Sequence, residues 1–287
     1  MVVERFAPSP TGRLHLGHAY SAMLAHDAAR AAGGRFLLRI EDLDAGRSRP
    51  DYNAAIAEDL RWLGVFWDGP VIRQSTRGAA YAAALARLDA RGLLYPCDCT
   101  RREIAAALSA PQEGAETAVY PGTCRRRDPD VVRASGRPVA LRLDLAAAVA
   151  ALGGGDAAAA LGFREIGAGP AGETGPIALD AAALAQAFGD VALARKDAAA
   201  AYHLAVVLDD AWQGVTHVTR GADLFAATAL HRLLQALLDL PTPIYRHHRL
   251  IRDAAGRRLA KRDDARAIAA LREAGATPRD VRAMVGL

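Results

Sequence analysis

Lysine is almost missing from this chain of 287 residues: only Lys196 and Lys261 occur, and every other basic residue is arginine. With alanine close to a quarter of the chain, this reads as the codon bias of a GC-rich genome. A lysine kept under such pressure marks a place where a compact ammonium is not replaced by a planar guanidinium. Cysteine is scarce too. Cys97, Cys99 and Cys124 are an odd number gathered within 28 residues, which argues against a disulfide framework and points to a local site. No apolar run reaches the ~18–20 residues that a membrane span needs. The opening Met1 to Arg5 is too short and too charged for a signal peptide, so the expectation is a cytoplasmic protein with no membrane partner. Charge of one sign is in little excess, with 36 basic and 32 acidic residues, yet it is unevenly placed: residues 246–287 carry a net +6 and the rest a net −2. A basic tail on a near-neutral body suits a polyanion such as RNA. A solvated helical face explains the same charge.

What is present reads as alternating α/β structure. Val2–Phe6 reads as a strand, Leu16 to about Ala32 as a helix stopped by Gly33-Gly34, and Arg35–Ile40 as a buried strand. Pro50 starts a helix through Leu63, and Thr76 is expected to cap a helix ending at Gly92. This rhythm predicts a parallel sheet with helices on both faces. It lapses from about Cys97 to Ala185, where the Gly/Ala-rich stretch Gly153 to Gly175 looks like a loop. It resumes with a strand at Val191–Arg195, a helix at Ala198–Asp210, a strand at Val215–Thr219, a long helix at Ala222–Leu240 and an extended Ile244–Ile251. A turn at Asp253–Gly256 and about 30 helical residues close the chain. The expected organisation is a first half of a nucleotide-binding domain at 1–96, an inserted subdomain at 97–188, the second half at 189–245, and a loop with a basic helical tail at 246–287.

Two motifs face phosphate. His15-Leu16-Gly17-His18 follows the first strand, and helix N-termini at strand ends are where α/β folds bind anions. Histidines three apart share one side of the first turn, where each is able to donate to phosphate oxygens whose charge grows during displacement. Gly17 leaves room for a nucleoside against the backbone. Alone, His-x-x-His is equally two incidental histidines. Arg257-Arg258-Leu259-Ala260-Lys261-Arg262 is dense in positive charge and follows a turn. It suits a loop closing over a triphosphate, or a basic surface turn.

Arg5-Phe6-Ala7-Pro8-Ser9-Pro10-Thr11-Gly12 with His15-Leu16-Gly17-His18 resembles the opening signature of the class I glutamyl-tRNA synthetases. Arg258-Leu259-Ala260-Lys261-Arg262 resembles their second signature. It departs from the usual pattern at Arg258 and Ala260 and keeps the second lysine as Lys261. Leu38 to Asp44, Trp62-Leu63-Gly64, and Gln74-Ser75 with Tyr81 fit as well. The chain stops 25 residues after Arg262, which leads us to expect no anticodon-binding domain. That expectation favours the truncated glutamyl-Q tRNA(Asp) synthetases over a short glutamyl-tRNA synthetase that charges a tRNA 3′ end. Cys97 to Arg101, Tyr120 to Arg125, Ala201 to Asp210 and Thr219 to Leu224 resemble that branch too. A nucleotidylyltransferase, which would share the His-x-x-His site, is weakened by the glutamate-site residues and the Lys261 loop, and an inactive RNA-binding paralogue by the intact His15, His18, Glu41, Arg220 and Lys261.

The resemblance implies a Rossmann-like α/β class I catalytic domain split by a zinc-containing insertion, with a short helical tail. It implies activation of L-glutamate with ATP and Mg²⁺, without tRNA. Glutamate then passes to the cyclopentene diol of queuosine at the wobble position of tRNA(Asp). His15, His18 and Lys261 are the implied catalytic residues; with Gly17, Arg258 and Leu259 they would hold ATP. Arg5, Ala7, Ser9, Glu41, Tyr202 and Arg220 would hold glutamate. Arginine suits a carboxylate bidentately, while strand-end charges such as Arg5 or Glu41 are commonplace by themselves. Cys97, Cys99, Tyr120 and Cys124 would hold one structural Zn²⁺. Three thiolates and one oxygen fit a tetrahedral site, though Cys-x-Cys spacing alone also fits free thiols. The insertion's arginines, Arg101, Arg102, Arg125, Arg126 and Arg127, are candidates for RNA phosphates or for plain solubilising charge. A monomer is expected.

Overall fold

The computed structural model describes residues 1–100, 102–104, 119–252 and 267–287. In chain order the elements begin with β1 (Val3–Phe6), α1 (Leu16–Ala31), β2 (Arg35–Ile40), α2 (Pro50–Trp62), β3 (Ile72–Arg73), α3 (Gly78–Asp89) and β4 (Leu94–Cys97). Next come α4 (Pro129–Arg133), β5 (Ala140–Leu143), α5 (Leu145–Ala150), α6 (Gly155–Ala160), β6 (Gly162–Glu165), β7 (Gly175–Ala178) and α7 (Ala181–Phe188). The rest are β8 (Ala192–Ala194), α8 (Tyr202–Trp212), β9 (His217–Gly221), α9 (Phe225–Leu237), β10 (Ile244–His248), α10 (Ile268–Glu273) and α11 (Pro278–Val285).

Two largely parallel sheets abut. One has the order β1-β2-β3 and the other β7-β6-β10-β9. β2 runs parallel to β1 and to β3, and β10 runs parallel to β9 and to β6, while β7 pairs antiparallel with β6. β1 lies beside β9, but side chains replace much of the ladder between them. Val3 N–H donates to Thr216 Oγ1 (2.8 Å), Thr216 N–H to the Val3 carbonyl (3.0 Å), and Thr219 N–H and Oγ1–H to the buried Glu4 carboxylate (3.2 and 2.8 Å). From β1 the chain turns to one side through α1 into β2. From β9 it turns to the other through α9 into β10. That reversal opens a crevice beyond the carboxyl ends of β1 and β9, where such sheets bind ligands.

Both faces of the first sheet are covered, because successive strand residues point to opposite sides. Phe6, Phe36, Leu38 and Ile40 pack with Ala19, Ala22 and Met23 of α1, Ile56 and Leu60 of α2, and Val281 and Val285 of α11. Val3 and Leu37 instead join Phe163, Val218 and Tyr245. A third cluster packs Tyr81, Leu88, Leu204, Val207, Leu230 and Leu233 beneath α3, α8 and α9. A small antiparallel sheet, β4-β5-β8, carries Cys97 at its edge. Gly34 allows β2 to start close to the first strand, since a Cβ there would lie 2.2 Å from the Val2 carbonyl oxygen.

Three local expectations are corrected. Thr76 does not cap α3. Ser75 is clasped through its N–H and hydroxyl by Asp42 (2.8 Å each), Gln74–Arg77 forms a 3₁₀ turn, and Thr76 Oγ1 donates to the Arg73 carbonyl (2.8 Å). Gly153 to Gly175 is not all loop. Its alanines form α6 with Ala158 fully buried, as helix propensity favours, and Glu165 of β6 pairs with Tyr245 of β10. The helix expected from Ala222 starts as a 3₁₀ turn at Ala222–Leu224 and becomes α-helical only at Phe225. Segment 97–188 thus supplies strands to two sheets, the small antiparallel one and the one shared with β9 and β10. The Asp253–Gly256 turn lies outside the described residues, as do Arg101, Arg258, Leu259 and Lys261.

Candidate active site and metal centre

A cavity of about 590 Å³ opens in the crevice between β1 and β9. Arg5, Ala7, Ser9, His15, Gly17, His18, Glu41, Tyr202 and Arg220 all line it. These residues come from positions 5 to 220, and the fold brings them to one place.

The floor is an ion network. Asp210 of α8 accepts from Arg39 Nη1 (2.7 Å) and Arg5 Nε (3.1 Å). Arg39, wholly buried, also donates to Glu41 Oε1 (3.2 Å) and Gln213 Oε1 (2.9 Å). Burial pushes the Asp210 carboxyl upward, but the two arginines outweigh it and hold that carboxyl below its ordinary range. Glu41 goes the other way: burial raises it, and Arg39 with Arg5 offsets only part of that rise. The two strand-end residues Arg5 and Glu41 are therefore held by a common brace. Pro8, in the Pro-rich turn, accepts from Glu41 N–H (3.0 Å), which ties the Ala7–Ser9 rim to β2.

Arg220 occupies the opposite wall and is 5% exposed. Its Nε donates to His247 Nε2 (3.1 Å), its Nη1 to His231 Nδ1 (3.1 Å) and its Nη2 to Thr228 Oγ1 (2.7 Å). His247 Nδ1 meets Glu165 Oε2, and the other Glu165 oxygen accepts from the N–H of His247 (2.9 Å) and of Gly167 (2.7 Å). His231 Nε2 lies 3.1 Å from His203 Nδ1. Burial first, then the nearby Arg220, pushes His203 and His247 down to about 4 and His231 well below its ordinary value. These imidazoles are neutral at physiological pH. Burial also raises the Tyr202 phenol, which lines the cavity beside them.

At the start of α1 the motif histidines organise each other. His15 is the N-cap; its Nδ1 accepts from Gly17 N–H (3.1 Å), and His18 Nδ1 accepts from His15 N–H (3.2 Å). Each neutral ring then carries its proton on Nε2, the form that donates to an anion. The rings lie 3.8 Å apart. A Cβ on Gly17 would come within 3.1–3.2 Å of the His15 ring, so glycine is what lets that ring fold back over its own turn. One turn further on, Ser21 hydrogen-bonds His248 Nε2 at the cavity wall. Ile268 N–H donates to the Leu14 carbonyl (2.8 Å), so the chain returns beside His15 directly after the segment that contains Lys261.

The cysteines form a second site. The sulfurs of Cys97, Cys99 and Cys124 lie within 4.8 Å of one another. Tyr120 Oη is 3.4 Å from Cys97 Sγ and 3.7 Å from Cys99 Sγ, and it accepts from Cys124 N–H (2.9 Å). Tetrahedral Zn–S bonds of ~2.3 Å put sulfurs roughly 3.8 Å apart; the Cys99 and Cys124 sulfurs lie 3.4 Å apart, and the cluster is compact enough to close on such an ion. The donor set therefore fits a metal of zinc's type. Asp98, between two of the cysteines, accepts from Arg127 Nη1 (2.7 Å), and the same oxygen lies 3.6 Å from Cys124 Sγ. Lys196 Nζ donates to the carbonyls of Asp98 (2.8 Å) and Cys99 (2.9 Å), fastening the cysteine loop to the segment after β8.

Several residues of these networks escape a reading of the sequence. Arg39 and Asp210 sit inside motifs that the resemblance covers but carry no signal of their own. Glu165, His203, His231 and His247 lie on four separate elements, and no local pattern links them.

The family described as class I tRNA synthetases (E and Q), catalytic domain, matches residues 1–150 and 173–287. A glutamyl-Q tRNA(Asp) synthetase from Rhodobacter capsulatus is 53% identical, over the full length of both chains. Another, from Symbiobacterium thermophilum, is 43% identical over 98% of this chain and 84% of that protein. Among solved structures, a glutamate tRNA ligase from Elizabethkingia meningosepticum in complex with its amino acid superposes with a TM-score of 0.71 at 27% identity. That match covers 91% of this chain and 52% of the ligase, so the chain spans about half the ligase's length.

Proposed function

The chain belongs to the class I tRNA synthetases of the glutamyl and glutaminyl type and, among them, to the glutamyl-Q tRNA(Asp) synthetases; on that premise we propose that it activates L-glutamate with ATP, without tRNA, and transfers the glutamyl group to the queuosine diol at the wobble position of tRNA(Asp). The observation that carries this reading is the convergence of Arg5, Glu41, Tyr202 and Arg220 with His15 and His18 on one cavity.

In the first half-reaction a glutamate carboxylate oxygen attacks the α-phosphorus of ATP. Glutamyl-adenylate forms and pyrophosphate leaves. Catalysis there needs alignment and charge neutralisation rather than a protein nucleophile. Arg5 and Arg220 bind the two carboxylates of glutamate, and Glu41 holds its ammonium. Tyr202 adds a hydroxyl, and Ala7 and Ser9 complete the rim. His15 and His18 present Nε2–H donors to the phosphates, with Gly17 beneath the nucleoside. Arg258, Leu259 and Lys261, from the second signature, complete the ATP site in this reading. Mg²⁺ bound with ATP supplies counter-charge. In the second half-reaction a queuosine hydroxyl attacks the acyl carbon and AMP leaves.

We further propose that Cys97, Cys99, Cys124 and Tyr120 hold one structural Zn²⁺ within the insertion at 97–188. Its chemistry is a cross-link that stands in for a hydrophobic core in a small subdomain. The boundaries 1–96, 97–188, 189–245 and 246–287, a monomeric state and a cytoplasmic location complete the reading. Among the described residues, no helix is long and apolar enough to cross a membrane.

The first test is glutamate-dependent exchange of pyrophosphate into ATP with no RNA present. Exchange with glutamate and not with glutamine or aspartate is the expected result. Exchange that appears only after tRNA is added would overturn the tRNA-independent step.

A further inference from the structure

Arg220 differs from Arg5 in how it is held. Arg5 shares Asp210 with Arg39, so a carboxylate already lies 3.1 Å from its Nε. The atoms that accept from Arg220 are all on neutral groups: His247, His231 and Thr228. A braced carboxylate, Glu165, stands one imidazole away. Among the described residues, no carboxylate stands at ion-pair distance from Arg220, while its orientation is fixed on three sides. Three of its five N–H donors are used, and two remain, one on each terminal nitrogen. That is the demand of one carboxylate bound bidentately.

The proton positions follow from the arginine outward, because a guanidinium only donates. His247 accepts at Nε2, so its proton sits on Nδ1 and is given to Glu165. His231 accepts at Nδ1, so its proton sits on Nε2 and is given to His203 Nδ1. Glu165 in turn accepts from three donors, two of them backbone N–H groups of His247 and Gly167. A Cβ at Gly167 would lie 2.2 Å from the His247 carbonyl oxygen, so this junction is tightly packed. A second proton on His231 would set an N–H against an N–H of Arg220, and the array has one consistent arrangement.

We propose that Glu165, His247 and His231 are positioning residues for substrate recognition: they fix the Arg220 guanidinium so that its two remaining N–H donors meet a carboxylate of the amino-acid substrate. The proposal rests on the assignment of this cavity to glutamate. His231 acts through Arg220 from behind, so losing it affects substrate binding and leaves the nucleotide side untouched.

The test is steady-state pyrophosphate exchange on the intact chain, with glutamate and ATP titrated separately, for His231→Leu, His231→Gln and Glu165→Gln. Glutamine at 231 accepts from Arg220 through its carbonyl and donates to His203 through its amide; leucine does neither. His231→Leu is expected to raise the KM for glutamate roughly 10- to 100-fold, with the KM for ATP within about twofold. His231→Gln is expected to restore most of the loss. Glu165→Gln puts an amide N–H where an acceptor is needed, and it is expected to raise the same KM. Thermal unfolding of each variant identifies any that fails to fold, and the remaining ones decide. Equal KM values for glutamate in the wild type and all folded variants would overturn the proposal, as would a parallel rise for ATP or no difference between His231→Leu and His231→Gln. A wild type with no glutamate-dependent exchange would instead overturn the assignment of the cavity to glutamate.

Discussion

Arg39 touches no outer surface, yet it sets the geometry of the floor, donating to Asp210, Glu41 and Gln213. Breaking a buried ion pair by removing one partner leaves a charge stranded, at a cost of about 3–5 kcal/mol. Arg39→Leu is therefore expected to lower stability by an amount of that order, measured by denaturant unfolding, and to lose glutamate activation. Loss of less than about 1 kcal/mol would show that Asp210 is sufficiently held by Arg5 alone. Gly17 makes a second case. Alanine there meets the His15 ring at 3.1 Å, so Gly17→Ala is expected to raise the KM for ATP several-fold with little change in melting temperature. Residues of this kind differ in how far they can be read from the sequence. Arg5, Glu41 and Arg220 stand at strand ends inside long motifs, so their type and position both speak. His203 and His231 are single histidines on α8 and α9, and their 3.1 Å approach depends on how two helices pack. No periodicity within either helix encodes that.

At the scale of elements, α1, β2 and α2 follow from apolar spacing with Gly and Pro stops, whereas the two-residue β3 (Ile72–Arg73) has no such signal. β2 spans Arg35–Ile40 as the pattern predicts. The pattern fails at Gly153 to Gly175, because β6 is a strand by virtue of its partner β10, 80 residues away in sequence. Thr76 shows the converse: a good capping residue is displaced by a stronger tertiary clasp, Asp42 on Ser75. The joint between α2 and α10 contains a testable flaw. Asp59 is 1% exposed, neither of its oxygens has a hydrogen-bond partner among the described residues, and Arg272 is 3.8 Å away. Burial pushes its pKa from 3.8 up to about 6, against the pull of Arg272. The folded protein thus binds the proton more tightly than the unfolded chain does. Wild-type stability contributed by this group is present below pH 3.8 and is lost as pH rises through about 6. Asp59→Asn is expected to be more stable than wild type at pH 7.5, by about 1–3 kcal/mol, and the gain should shrink toward zero as pH falls to 4. A gain that does not change with pH would contradict this assignment.

For the molecule as a whole, the two abutting sheets create the crevice, and the cysteine cluster stands apart from it. Purified protein is expected to carry about one zinc per chain by elemental analysis. A strong chelator should lower its melting temperature, as should Cys99→Ser. Folded, active and metal-free protein would remove the metal from the account. The fold class was legible from the strand–helix rhythm together with the motifs. The direct contact of β1 with β9 was not, since it rests on Glu4 and Thr219, 215 residues apart. The central claim concerns where the activated glutamate goes. Its most direct test supplies the enzyme with ATP, labelled glutamate and two preparations of tRNA(Asp), one bearing queuosine and one lacking it, and then locates the ester. The account predicts label only on the queuosine-bearing tRNA, at the wobble nucleoside, with the 3′ end free. Equal label on both preparations at the 3′ end would contradict it and make the protein a synthetase that charges tRNA in the ordinary way.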